Sequence, residues 1–147
     1  FNVAESIQSE PLTTQLLAKK LGELPQVVKV MSSEVAFAHK LAAWNERRLM
    51  RDLYDCYFWY AMVNVTPDKE TLTNRLLKIQ SRIPSLKNIK SMTVFEFCNC
   101  LEESIAAITE QRFKQEMLGL IPPAKLESEF IIMVVQLRKL LVELTTW

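Results

Sequence analysis

Apolar side chains recur at helical spacing along most of the chain, and no alternating segment of β type and convincing length interrupts them. The richest stretch is 33–64, which carries seven of the thirteen aromatic residues and which we predict to be one long helix. Large apolar side chains at this density are usually buried. The long helix is therefore predicted to be the centre of the core.

Two shorter helices are predicted ahead of it. Ser9 can cap a helix, Pro11 suits a first turn, and leucines at helical spacing follow until Gly22. Leu24-Pro25 then restarts the chain, and the apolar residues over 27–31 predict a short second helix that either stops or runs on into the long one.

Three further helices are predicted after the long one. The segment 67–82 has leucines and an isoleucine on its inner side. The segment 93–118 opens with a capping box formed by Thr93 and Glu96. The last helix starts at Pro122 and carries a nearly unbroken apolar stripe to its end.

Unequal helices with short connections predict an all-α fold, an irregular antiparallel bundle of five or six helices around the long central helix. A chain of 147 residues is expected to form one domain, so we predict a single helical domain over 1–147. Because the first residue is Phe1 and not methionine, we expect either a processed form or a fragment of a larger protein, and we favour the fragment.

Charge and cysteine usage narrow the class of protein. Eighteen basic and seventeen acidic residues leave a net charge of +1, which gives no global attraction to nucleic acid or to an anionic membrane. The longest apolar runs fall far short of the roughly 18 residues of a membrane span. Three cysteines do not make a disulfide framework, and they favour an intracellular protein, cytoplasmic or nuclear.

Residues that could carry catalysis or bind a metal are few. His39 is the only histidine and lies beside the apolar side of the long helix, where it is expected to be a partly buried, hydrogen-bonded group. Cys98 and Cys100 point about 200° apart on a helix, so they cannot close on one ion. Gly22 and Gly119 read as helix ends and not as a phosphate-binding loop. We therefore expect no catalytic residue, no metal, no cofactor and no enzyme.

The long helix offers a candidate partner surface. When the residues are placed around the helix axis, Leu49 and Leu53 lie on the same side as Val35, which is the predicted core side. A charged belt that includes Lys40 and Asp55 lies on the opposite side. Aromatic residues next to arginines are typical of interfaces. Either other helices of the same chain cover this opposite side, or it binds a partner, and burial of Trp44 under another helix would exclude the second interpretation. The candidate partner-binding residues are Phe37, Trp44, Arg47, Arg48, Arg51, Phe58 and Met62.

Two more surfaces are candidates. Ile132 lies within the polar stripe of the last helix, which is either sandwiched in the core or presents a docking strip for a partner helix or peptide. Between Thr71 and Phe95 there are five basic residues and no acidic one, so this segment either neutralises the acidic region 96–129 or binds an acidic partner. The basic residues are Arg75, Lys78, Arg82, Lys87 and Lys90.

These surfaces favour a non-enzymatic protein–protein interaction domain, a scaffold or complex subunit that binds another protein through an apolar helical groove or face. The first alternative is a nucleic-acid-associated helical domain that uses the basic 75–90 segment. The second is a secreted helical-bundle cytokine, which suits the length and the Asn64-Val65-Thr66 triplet but not the short connections. No membrane partner is expected.

Overall fold

The computed structural model describes residues 7–13 and 27–147, with side chains described from residue 31 onward. The first described element is a two-stranded antiparallel sheet of β1 (Ile7–Thr13) and β2 (Val27–Met31). Helix predictions for 9–13 and 27–31 are therefore wrong, and the rest of the predicted 9–22 helix lies outside the described residues. β2 is VVKVM, and its β-branched valines favour strand over helix.

The remainder of the described chain is helical, which confirms the predicted all-α bundle. Two short 3-10 turns, Pro84–Leu86 and Pro123–Lys125, lie in the connections. The six helices in this part of the chain are α1 (Ser33–Arg47), α2 (Met50–Ala61), α3 (Lys69–Leu76), α4 (Val94–Ala107), α5 (Glu110–Met117) and α6 (Leu126–Thr145).

The predicted central helix over 33–64 is wrong, because it is two helices that pack against each other. α1 ends at Arg47, Arg48 adopts a left-handed conformation (φ 55°, ψ 36°), and α2 begins at Met50. The predicted helix over 93–118 is likewise divided, here into α4 and α5.

The observed helix ends agree in part with those predicted from the sequence. The Thr93 side chain accepts a hydrogen bond from the Glu96 backbone N–H at 3.1 Å, as the capping box predicts. Asp68 caps α3 by accepting from the Thr71 backbone N–H at 3.0 Å, so α3 begins at Lys69. Gly119, with φ 89°, follows α5 in a conformation that suits glycine.

The core lies where α1 and α6 meet their neighbours. α1 packs against α2, α3 and α4, while α6 packs against α2, α4 and α5. None of the helices in the described ranges is long and apolar enough to cross a membrane. Fully buried large side chains come from five of the six helices: Phe37, Leu41, Leu72, Leu76, Phe97, Leu101, Phe113, Met117, Met133, Leu137, Leu140 and Leu144.

Candidate functional site

The turn between α1 and α2, residues 44–52, is called here the elbow. Arg48 is its left-handed residue, a conformation that costs a non-glycine residue roughly 1–2 kcal/mol. The Arg48 backbone N–H donates to the Trp44 carbonyl at 2.6 Å, and its guanidinium carbon lies 4.9 Å from the centroid of the Trp44 ring. Arg48 Nε and Nη2 donate to the Asn45 carbonyl and to Asn45 Oδ1, each at 2.9 Å. These contacts offset the backbone strain.

Asn45 anchors the elbow in the core. Its side chain is buried, and Oδ1 accepts from Arg48 while Nδ2 lies 3.5 Å from Met92 Sδ. Met92 precedes α4 and is itself buried. The elbow is therefore attached to the body of the bundle through a polar side chain that has partners for both its oxygen and its nitrogen.

The elbow brings together two charged residues that are fifteen positions apart. Lys40 Nζ on α1 lies 3.3 Å from Asp55 Oδ2 on α2. In one uninterrupted helix the same residues would be about 22 Å apart along the axis. Their side chains are 40% and 44% exposed, so the pair lies on a face that a ligand can reach.

Asp52 is the buried member of this group. Arg47 Nη2 donates to Asp52 Oδ1 at 2.7 Å, and the Asp52 side chain is only 5% exposed. Asp52 Oδ2 is buried without a hydrogen-bond partner among the described residues. An unpaired polar atom in the interior is costly, and each such atom in a native structure calls for an explanation. The Arg47 side chain is 53% exposed, which leaves its remaining N–H groups accessible.

The charged face is defined here as Lys40, Arg47, Arg51, Asp52 and Asp55. Arg51 is exposed and lies four residues before Asp55, on the same side of α2. Three cations and two carboxylates therefore surround the elbow. The charged belt predicted from the sequence contains Lys40 and Asp55, but neither was a candidate binding residue, and Asp52 was not identified from the sequence.

Cys56 lies beneath this face and is fully buried. Burial raises the pKa of its thiol, and the negative charges of Asp55 and Asp52 raise it further. A thiol in this environment stays protonated, and only the thiolate is a strong nucleophile. Cys56 therefore packs and does not react.

His39 is a partly buried, hydrogen-bonded residue, as predicted. Its Nδ1 lies 2.7 Å from Arg75 Nη1, and because arginine is always the donor, His39 accepts at Nδ1. Burial, followed by the Arg75 charge, lowers the pKa of His39 to about 4, so the ring is neutral near pH 7. Arg75 Nη2 also binds Glu46 Oε1 at 2.8 Å. These contacts attach α3 to α1.

The predicted partner surface is not assembled as expected. Phe37 is fully buried and Trp44 is 2% exposed, with the Trp44 ring edge-on to Phe97 at a centroid distance of 6.0 Å. Other helices of the same chain cover both residues, so their prediction as partner-binding residues is wrong. Arg48 is committed to Asn45 and Trp44, and Arg47 pairs with Asp52. The candidate residues that remain exposed are Arg47, Arg51, Phe58, Met62 and Ile132.

The predicted acidic-partner patch is also altered. Arg75 turns inward to Glu46 and His39, so it does not belong to an exposed patch. The other four basic residues are exposed, and their binding to an acidic partner stays a prediction: Lys78, Arg82, Lys87 and Lys90. Within residues 7–13 and 27–147, no three His, Cys, Asp or Glu side chains are grouped so that they could hold a metal ion.

Comparison with known proteins identifies the class. A family model described as nucleotidyl transferase AbiEii toxin, type IV toxin–antitoxin system, matches residues 2–138. The match covers most of the chain, and the chain therefore belongs to this family. No curated protein and no solved structure matches it.

This family assignment corrects the functional predictions. The prediction of a non-enzymatic scaffold or interaction domain is wrong, as is the expectation that the chain is not an enzyme, because the family is one of nucleotidyl transferase toxins. The secreted cytokine alternative is wrong for the same reason, and the nucleic-acid alternative is wrong in describing a domain without enzymatic activity, whereas contact with nucleic acid stays untested. A toxin–antitoxin family implies an antitoxin protein as counterpart, which agrees with the expectation of a partner protein. Toxin–antitoxin proteins are generally intracellular, which agrees with the coarser expectation of an intracellular protein.

Proposed function

We propose that this protein is a toxin that transfers a nucleotidyl group, and that the charged face at the elbow handles the donor nucleotide. The observation that carries the proposal is the ion pair between Lys40 and Asp55, which forms because the chain leaves helical geometry at Arg48 and Leu49. An exposed pair assembled by a strained turn is typical of a functional site and not of a solvated helix surface.

Nucleotidyl transfer makes two demands on the protein. A nucleophile of the acceptor attacks the α-phosphorus of a nucleoside triphosphate, a new bond to phosphorus forms, and the bond to the departing pyrophosphate breaks. The phosphate oxygens need cationic partners, and the acceptor group must lose a proton. Both kinds of group lie on the charged face.

The cations are assigned to the phosphates. Lys40 and Arg51 are accessible, and Arg47 keeps free N–H groups beside its bond to Asp52. Arginine binds phosphate in a forked geometry, whereas lysine acts as a compact charge. In the absence of nucleotide Lys40 is neutralised by Asp55, and an incoming phosphate competes for the same ammonium group.

Asp55 is assigned the role of accepting the proton that the acceptor group loses. Once Lys40 turns toward phosphate, the Asp55 carboxylate is accessible and adjacent to the reacting groups, where it can accept the proton of the acceptor. Asp52 is buried and contacts Arg47, so its role is to hold that guanidinium in place. Lys40 and Asp55 are therefore the residues whose removal is most informative.

The first prediction concerns this pair. The purified protein is incubated with each of the four nucleoside triphosphates, labelled at the α-phosphate, and with total cellular RNA or total cellular protein as acceptor. We expect Asp55→Asn to lower label transfer about a hundredfold or more, the usual effect of losing a catalytic acid–base group. Lys40→Ala should lower it by a similar factor, about a hundredfold, because the phosphate charge loses a positioned cation. Growth arrest on expression should weaken in parallel.

Lys114 and Glu110 supply the matched control. They form an ion pair at 3.4 Å with side chains 44% and 46% exposed, close to the values for Lys40 and Asp55, but within α5. Lys114→Ala should transfer label at the wild-type rate. Equal rates for Lys40→Ala, Asp55→Asn and the wild type would show that the charged face is not the site.

A further inference from the structure

The left-handed backbone conformation of Arg48 requires a physical explanation. In the described part of the chain the other non-glycine residue with positive φ is Asn64, at φ 61°, and asparagine tolerates this conformation. Arginine has no such tolerance. A left-handed arginine persists only when its surroundings determine it.

The side-chain contacts of Arg48 supply that determination. Its guanidinium donates twice to Asn45 and lies over the Trp44 ring, and both partners are buried. A guanidinium stacked on indole and bonded to a buried amide is held more firmly than a solvated one. The contacts close only when Arg48 folds back over the last turn of α1.

We infer that Arg48 is a positioning residue, which holds the bend that joins Lys40 to Asp55 through its bonds to Asn45 and its contact with Trp44. The effect of Arg48 on catalysis rests on the proposed function. Its effect on the bend can be measured without any assay of nucleotidyl transfer. Leu49, with φ −87° and ψ 140°, is extended. If Arg48 and Leu49 both took helical dihedral angles, α1 would continue into α2 and the pair would separate by about 22 Å.

The hydrogen bonds of Arg48 also distinguish it from the cations of the charged face. Two of its donor atoms, Nε and Nη2, are used within the protein at 2.9 Å, so they are not offered to a phosphate. Substitution by glycine has different effects on a substrate-binding arginine and on a positioning arginine. Glycine removes the guanidinium but adopts the left-handed conformation without cost.

The test compares Arg48→Gly with Arg48→Val in the whole protein. Both lack the guanidinium, but valine is β-branched and strongly disfavours positive φ. A carbodiimide joins an amine to a carboxylate only where they are in contact, so the 40–55 cross-link, quantified by peptide mass spectrometry, reports the bend. Label transfer per folded molecule is measured on the same samples, together with the 110–114 cross-link as internal control.

We expect Arg48→Val to lower the 40–55 cross-link and the transfer rate about fivefold to thirtyfold relative to Arg48→Gly, the factor that corresponds to the left-handed penalty. Arg48→Gly should keep both within about threefold of the wild type, since its backbone enters the bend freely. Asn64→Val places the same penalty at the end of α2 and should leave the 40–55 cross-link unchanged. If Arg48→Val does not fold, Arg48→Ala takes its place.

A wild-type level of cross-link in Arg48→Val or Arg48→Ala would overturn the inference, because the bend would not depend on residue 48. Loss of transfer in Arg48→Gly with the cross-link intact would also overturn it, because the guanidinium would then act on substrate. If the wild type transfers no nucleotide, the proposed function fails, and the cross-link yields alone decide whether Arg48 positions the pair.

Discussion

Asp52 has one carboxylate oxygen bonded to Arg47 at 2.7 Å and the other buried without a partner in the described structure. Its partner Arg47 is more than half exposed. The two members of this ion pair therefore lie in different environments, one in the interior and one in water. The energetic consequence of losing either member must differ, because only a buried charge is costly when it is left alone.

Loss of Arg47 is therefore expected to cost more stability than loss of the Asp52 charge. Arg47→Ala leaves the Asp52 carboxylate buried and unpaired, so we expect the free energy of unfolding to fall by about 3 kcal/mol or more. Asp52→Asn leaves Arg47 in solvent, so we expect a loss of about 1 kcal/mol or less. Urea unfolding at pH 7 measures both values.

The double variant Arg47→Ala with Asp52→Asn is the control. It should regain most of the stability that Arg47→Ala alone loses, because no buried charge remains. Equal losses in the two single variants would mean that Asp52 is compensated by a group other than Arg47.

At the scale of single elements, α4 shows what could be read from the sequence. Its cap at Thr93 and its buried residues Phe97, Leu101 and Ile105 follow directly from residue type and helical spacing. Local rules suffice there, because one face of one helix meets one core. The Phe95 side chain, off that stripe, is exposed as the spacing requires.

The division between α1 and α2 could not be read in the same way. No glycine, proline or asparagine occupies position 48, so residue type gives no stop signal. The one sign was a change of phase: Phe37 and Trp44 fall opposite Leu49 and Leu53 when the stretch is treated as one helix. Both sets are oriented inward once the chain bends, and a side chain buried on each side of a presumed helix indicates a break.

The attachment of α3 to α1 through His39 and Arg75 is expected to weaken at acidic pH. The folded pKa of His39 is about 4 against 6.5 when unfolded, so the unfolded chain binds a proton first as the pH falls. This contribution to stability is complete above about pH 6.5 and is lost as the pH falls toward 4. Protonation also removes the lone pair with which Nδ1 accepts from Arg75.

His39→Asn isolates this effect, because the asparagine Oδ1 can accept the Arg75 bond and does not titrate. We expect the stability of the wild type relative to His39→Asn to decline between pH 7 and pH 4.5, as measured by urea unfolding at several pH values. A relative stability that is constant or rises on acidification would contradict the lowered pKa.

At the scale of the whole molecule, the fold class was predictable and the activity was not. Helical spacing and short connections define an all-α bundle without reference to any ligand. The candidate site has no histidine base and no glycine-rich loop. It consists instead of common charged residues that meet only after a strained turn has formed, so Lys40 and Asp55 looked like an ordinary solvated face. The family match to residues 2–138, and not a local motif, corrected that reading.

If the elbow binds the donor nucleotide, that nucleotide covers Lys40 and shields its amine from chemical modification. The protein is treated briefly with acetic anhydride at subsaturating dose, with and without each nucleoside triphosphate, and acetylation of every lysine is quantified by mass spectrometry. We expect the nucleotide used in transfer to suppress acetylation of Lys40 and to leave Lys114, of similar exposure, unchanged. Unchanged acetylation of Lys40 while that nucleotide is bound would contradict the assignment of the donor site to the elbow.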